Sequence, residues 1–280
     1  MATFSLQAQP DHAAGWLDLA RRAEAAGFHT LYCADHPGSC ASPFVSLAAA
    51  AAVTSTLRLG SYVVNAGIRE PLLLASDVAT LDLVSGGRAV LGIGAGHTPA
   101  EWAAVGRERP DVRGRVAHCI TVAETTLRML AGDGLAKPRP VQDRVPLLFG
   151  GGNTRLLRWA ADHADLIGLT GLGRTLEDGH SHTVRWRPAD VDAQVELCGA
   201  VPVEALVQHL EITEDAGATY AKWAAEAELS EAEMALAPYV LAGTVTEIRA
   251  KLAENERRWG LTRYAVRVPA FEAAVALMAG

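Results

Sequence analysis

Half of the 280 residues are hydrophobic and 20% are charged, which supplies enough apolar surface for a sizeable core and excludes global disorder. The formal net charge of −7, with no Lys/Arg cluster to follow a phosphate backbone, argues against nucleic acid as a partner. The Ala-rich run Leu47 to Val53 falls far short of the roughly 18 to 20 residues of a membrane-spanning helix, and residues 1 to 7 lack a secretory pattern, so a cytoplasmic protein away from membranes is expected.

Taken in chain order, short β-rich runs alternate with longer segments of helical period about eight times, the pattern of βαβ units around a parallel sheet. The predicted strands are Phe4 to Ala8, Thr30 to Ala34, Leu57 to Val64, Ala89 to Gly94, Pro146 to Phe149, Leu166 to Thr170, Val207 to Ile212 and Tyr264 to Val268. Between the first two, Trp16, Leu19, Ala23 and Ala26 recur at helical spacing before Gly27, a residue suited to the left-handed conformation that ends a helix. Val116, Ile120, Ala123, Leu127 and Leu130 predict one apolar stripe ahead of Gly132, laid on a sheet. A helix from Arg155 to Ala161 follows the glycine run at 150 to 152. The segment Gly171 to Arg187 has no periodic apolar set and predicts an irregular functional loop. Ser230-x-x-Glu233 and Thr244-x-x-Glu247 are capping-box signatures, the second opening a helix through Leu252 to Trp259.

No linker separates two cores, and eight βα alternations in one stretch favour a closed α/β barrel, the (β/α)8 TIM barrel, over an open doubly wound sheet. The whole chain, 1 to 280, reads as one such domain. Cys33, Cys40, Cys119 and Cys198 form no C-x-x-C pair and have no His at ligand spacing, so they read as reduced thiols with no metal.

Barrel active sites lie in the loops after the strands, which makes the strand ends a shortlist. Asp35-His36 follows the second strand, and an imidazole there can give or take a proton; a lone His can equally be a packed residue. His97 has a weaker case of the same kind. His180 and His182 lie in a polar loop without partner ligands and read as solvated. Leu91-Gly92-Ile93-Gly94-Ala95-Gly96 looks like a dinucleotide fingerprint, but G-x-G-x-x-G needs Gly or Ala where His97 stands, and the motif fails. Those glycines either let the backbone approach a flat ligand or serve tight packing. Gly150-Gly151-Gly152-Asn153 leads into a helix and presents either a phosphate-binding amide nest or a plain capped turn.

At these same residues the sequence resembles the bacterial luciferase-like monooxygenase superfamily, and within it the branch that uses the deazaflavin coenzyme F420. The matching stretches are Ala23 to Phe28 leading to Ala34-Asp35-His36, Leu57 to Gly60 with Val63-Val64, Thr80 to Arg88, Gly96 to Glu101, Val145 to Gly152, Ala161 to Asp165 and Gly243 to Ile248. The resemblance implies a (β/α)8 barrel with a flavin or deazaflavin ring at its C-terminal mouth and a non-prolyl cis peptide near Tyr62 and Val63. It implies cofactor contacts at Asp35, Tyr62, Val63, Gly94, Ala95, Gly96, Gly150, Gly151, Gly152, Thr170 and Gly171. His36 matches the histidine beside the reactive ring carbon in deazaflavin-dependent dehydrogenases, and His97 stands where sugar-phosphate-oxidising members carry a glutamate. The implied activity is F420-dependent hydride transfer to or from a small organic substrate, in a homodimer. The alternatives are an FMN-dependent monooxygenase using O2 and a non-catalytic cofactor-binding or partner subunit.

Overall fold

The computed structural model describes residues 2–135, 137–176 and 181–279; of the expected solvated histidines, His180 lies outside them. Among the described residues, no helix is long and apolar enough to cross a membrane. Contacts divide the chain into two compact units, one of residues 7–150 and 163–165, the other of 1–6, 151–162 and 166–280.

In the first unit, the strands Thr30–Cys33, Arg58–Ser61, Ala89–Gly94 and Leu147–Gly150 run parallel. They pair in that order, Tyr32 with Gly60, Leu59 with Ala89, Gly92 with Leu148. Three of the four are buried at every position, as continuously apolar strands covered on both faces should be. The run predicted as Leu57 to Val64 is interrupted. Its strand stops at Ser61, the Tyr62–Val63 peptide is cis, and pairing resumes at Val64–Asn65 against Ile93 and Gly94.

Helix Ala13–Ala25 buries Trp16, Ala20 and Ala23 and gives way to Gly27 at φ 86°, the predicted left-handed stop. In helix Val112–Leu130 the buried stripe is Val116, Cys119, Val122, Ala123 and Thr126. It is rotated slightly from the predicted set, because the small Cys119 and Thr126 fit the closest approach and leave Ile120 and Leu127 on its flanks.

The stretch Asp82 to Arg88 is structural throughout. Asp82, fully buried, accepts the backbone N–H groups of Val141 at 2.7 Å, Gln142 at 3.0 Å and Ala89 at 3.2 Å. Gly86 at φ 68° ends helix Pro71–Ser85 in the left-handed conformation. Arg88 then spreads its guanidinium over the carbonyls of Ser85, Leu57, Ala51 and Thr54 at 2.7 to 3.1 Å, closing three chain ends with one side chain. Glu24 does the same with a carboxylate, accepting the N–H groups of Ser55, Thr56 and Leu57. Its own slight burial pushes its pKa up, but those hydrogen bonds outweigh that and bring it down to about 2.

In the second unit, Val203–Leu206 lies between Leu166–Leu169 and Arg263–Arg267 in a parallel ladder. This corrects the predicted strand Val207 to Ile212. Glu204 interrupts the apolar run in sequence, yet its side chain is fully buried and accepts a hydrogen bond from Ser5 Oγ at 2.8 Å. The more obvious run His209–Ile212 forms a separate two-stranded parallel pair with Val240–Gly243, a strand the sequence reading missed. The expected irregular loop also differs: Leu172–Thr175 and His182–Val184 pair as an antiparallel hairpin, and predicted positions 177–180 lie outside the described residues. Both capping boxes form, on helices Glu231–Leu236 and Val245–Trp259. The four cysteines are free, and all but Cys40 are buried; burial pushes the Cys198 thiol up to about 12.

Replacing Arg88 with alanine removes the donors for buried carbonyls in three segments. It is expected to lower the unfolding free energy by about 3 kcal/mol, measured by urea denaturation against wild type.

Candidate active site

Parallel pairing of Thr30–Cys33, Arg58–Ser61 with Val64–Asn65, and Ala89–Gly94 puts their C-terminal ends side by side. The loops leaving those ends carry Asp35 and His36, Asn65 to Arg69, and Ala95 to Glu101, the last on the first turn of helix Pro99–Ala104.

Asp35 is 1% exposed. Arg69 grips it from both donors, Nε to Oδ2 at 2.9 Å and Nη2 to Oδ1 at 2.5 Å, while the Asn65 N–H reaches Oδ2 at 3.2 Å. A bidentate guanidinium of this kind fixes geometry as well as charge. The pair anchors the two loops to each other and engages both oxygens of a side chain that the resemblance assigned to the cofactor.

His36, held by backbone hydrogen bonds from Ser39 and Cys40 to its carbonyl, keeps 35% of its side chain exposed. Its Nδ1 lies 2.6 Å from Oε1 of Glu101, which is 6% exposed. The other oxygen of Glu101 accepts from Asn65 Nδ2 at 2.7 Å, and Asn65 Oδ1 accepts the Gly67 N–H at 2.8 Å. The ring of His97 meets that of His36 edge-on, centroids 5.4 Å apart at 71°. Thus the two histidines of the sequence reading come together ring to ring, and His36 alone is tied to a carboxylate and, through it, an amide that the sequence reading did not single out. Asn65 and Glu101 stand in shortlisted strand-end loops; no spacing in the sequence ties position 36 to 101.

The electrostatics follow from these contacts. The hydrogen bond to Glu101 raises the His36 pKa, burial opposes it, and the charges of Glu101 and Asp35 add to the rise. For Glu101, burial pushes the carboxyl up, but hydrogen bonds from His36, Asn65 and Thr98 outweigh it and the net shift is downward. A cationic imidazole against an ionised carboxylate is therefore the favoured state of the pair.

The glycines make room within the protein itself. A Cβ on Gly94 would lie 2.7 Å from Val63, one on Gly150 2.6 Å from Val63, and one on Gly96 1.8 Å from Asn65 Oδ1. Their missing side chains make room for the chain's own Val63 and Asn65, the packing alternative of the two readings. Gly94 and Tyr62 are buried, whereas Val63, Ala95, Gly96, His97 and His36 are half-buried; this last set is the part of the proposed cofactor surface that solvent reaches.

In the other unit, the Gly151 N–H donates to Gly168 at 3.2 Å, so it closes a backbone contact instead of joining an open amide nest. Arg185 and Gln194 hold the Gly152 carbonyl, and Asn153 Oδ1 caps the next helix by accepting from Arg155 and Leu156 at 3.0 and 3.3 Å. That is the capped turn of the sequence alternatives. Thr170 accepts from Gln208 through its carbonyl and from Leu172 through its hydroxyl. Gly171, at φ 68°, packs so tightly against Trp186 that a Cβ would come within 2.4 Å of its Nε1.

Comparison with known proteins bears on the family and the fold. The profile of the luciferase-like monooxygenase family matches residues 2–192. A 4-hydroxyprotoasukamycin monooxygenase from Streptomyces nodosus subsp. asukaensis is 35% identical over 121 residues, 42% of this chain and 32% of the relative. A 5,10-methylenetetrahydromethanopterin reductase from Methanopyrus kandleri is 42% identical over 78 residues, 28% of this chain and 22% of that one. The matches thus span a third or less of these two curated relatives. Among solved structures, the coenzyme F420 dependent tetrahydromethanopterin reductase of Methanopyrus kandleri superposes with a TM-score of 0.73 at 20% identity, covering 99% of this chain and 96% of its own. A monooxygenase from Streptomyces bottropensis gives 0.74 at 20% identity with the same coverage. These likenesses show the fold, the expected luciferase-like (β/α)8 barrel.

The His36 pKa is raised, so its contribution to stability is complete below the ordinary imidazole value of 6.5 and is lost as pH rises through the raised value. The Glu101 pKa is lowered, so its contribution is present above 4.5 and is lost as pH falls through the depressed value. The stability difference between wild type and Glu101→Gln is therefore expected to be larger near about pH 5.5 than near about pH 9, measured by denaturant unfolding at both.

Proposed function

Because the chain belongs to the luciferase-like monooxygenase family, we propose that it is a coenzyme F420-dependent oxidoreductase that moves a hydride between the deazaflavin and a small organic substrate. The family's relatives named above include both reductases and monooxygenases, which supports an oxidoreductase and leaves the choice of cofactor to this proposal. The observation that carries it is the half-exposed imidazole of His36, tied through Nδ1 to the buried carboxylate of Glu101 at the strand ends.

The residues fit such a group. Val63, Ala95 and Gly96 form a half-buried, uncharged surface beside the two histidines, suited to a flat aromatic heterocycle, and a titratable donor stands next to it. When bound, the deazaflavin supplies the two-electron hydride chemistry, and the protein supplies orientation and electrostatics. His36 handles the accompanying proton at Nε2, giving it up when a substrate carbonyl is reduced and accepting it when an alcohol is oxidised. Glu101 and Asp35 favour the protonated state from which donation starts. Asp35 and Arg69 take no part in the proton transfer; they keep the His36 loop against the Asn65 loop. A cytoplasmic homodimer is part of the same proposal.

Titration of the purified protein with F420 and with FMN, followed by absorbance and ring fluorescence, tests the cofactor. Tight F420 binding is the expected result; preference for FMN with O2-dependent product would replace it with the monooxygenase reading, and binding of neither with a non-catalytic one. His36→Ala is expected to keep cofactor affinity within a few fold while turnover falls by about a hundredfold or more; unchanged turnover would remove His36 from the mechanism.

A further inference from the structure

We propose that Asn65 and Glu101 are positioning residues that fix the tautomer of His36, so that the Nδ1 proton always points into the protein and Nε2 is its sole proton-transfer atom. The inference starts from a backbone amide. The Gly67 N–H can only donate, so the atom of the Asn65 side chain 2.8 Å from it must be the carbonyl oxygen. That assignment turns the NH2 group of Asn65 toward Glu101 at 2.7 Å. An NH2 group can only donate, so Oε2 of Glu101 must accept. With the carboxylate ionised, Oε1 can only accept as well, and the proton in the 2.6 Å contact belongs to His36 Nδ1.

The chain of three contacts therefore transmits one fixed direction, from the main-chain donor of Gly67 to the imidazole of His36. Burial gives the arrangement its force. Asn65 is 4% exposed and Glu101 6%, and a buried polar group turned away from its partner loses a hydrogen bond that water does not replace. A flipped Asn65 amide would set its NH2 against the Gly67 N–H and its oxygen against the Glu101 carboxylate, losing both contacts. The other charged or titratable groups near His36 do not offer Nδ1 a rival acceptor in this arrangement: Asp35 is gripped by Arg69, and His97 meets the His36 ring edge-on. Asp77 is half-buried; burial pushes its carboxyl up, Arg69 pulls it down and Asp35 adds to the rise.

The reaction in which Nε2 takes part rests on the function proposed above, but the tautomer does not. The test is therefore made first on cofactor-free protein, with 15N-labelled histidine and NMR above the His36 titration midpoint. The expected wild-type spectrum shows the His36 proton on Nδ1 with Nε2 bare. Asn65→Asp places a second acceptor against Glu101 and is expected to disturb that state, producing a mixed or reversed tautomer. In Glu101→Gln the His36 pKa is expected to fall toward the ordinary imidazole range. With cofactor and substrate, both variants are expected to lose turnover by about ten- to a hundredfold with little change in KM, and the pH–rate limb is expected to follow the NMR titration. A wild-type His36 protonated on Nε2 above its midpoint overturns the proposal with no variant needed. So does a titration unmoved in a folded Glu101→Gln protein. If the Nδ1 tautomer is found and no deazaflavin binds, the functional reading falls and the positioning role stands.

Discussion

A buried carboxylate has to be surrounded by donors or lose its charge, and that requirement on Glu101 organises the strand-end loops of the first unit. Three of them contribute: His36 comes from the loop after Thr30–Cys33, Asn65 from the loop after the cis peptide, and Glu101 itself from the helix after Ala89–Gly94. Further contacts brace these loops away from the imidazole. Arg69 on Asp35, the Gly67 amide on Asn65, and Pro99 at the start of the Glu101 helix do this without touching the imidazole. The result is an aromatic base whose inner edge is committed and whose outer edge faces partial solvent.

Part of the family resemblance lies in residues that serve the fold and stand apart from the candidate site. Asp82, Gly86 and Arg88 close helix ends and strand starts. Asp165 accepts the Leu147 N–H at 2.8 Å and pairs with Arg144. These are polar groups used as architectural ties, each satisfying several backbone groups that would otherwise be buried without partners. They hold the strands in register, and the strands aim the loops.

What was legible in the sequence followed from local rules. The left-handed stop at Gly27 and the two capping boxes depend on residues within a few positions of one another, and the buried strand Ala89–Gly94 carries its apolar character openly. The failures involve long-range partners. Val203–Leu206 was passed over because Glu204 looks like a surface residue until Ser5, 199 residues away, donates to it. His209–Ile212 is the better strand by composition but, among the described residues, pairs only with Val240–Gly243. Asn65 and Glu101 escaped for the same reason, since an amide and a carboxylate become a site only when folding brings an imidazole between them and the solvent. The packing of Gly94, Gly96 and Gly150 against Val63 and Asn65 is of the same kind, since no periodicity reveals it.

The contact between Gly96 and Asn65 also has a bearing on how such a chain can diversify. Any side chain at 96 would collide with the amide oxygen at 65, so neither position is free to drift unless the other changes with it. The open neighbour His97, half-buried with no such clash, can change without disturbing the amide, so variation at this edge of the loops is steered away from the linked pair.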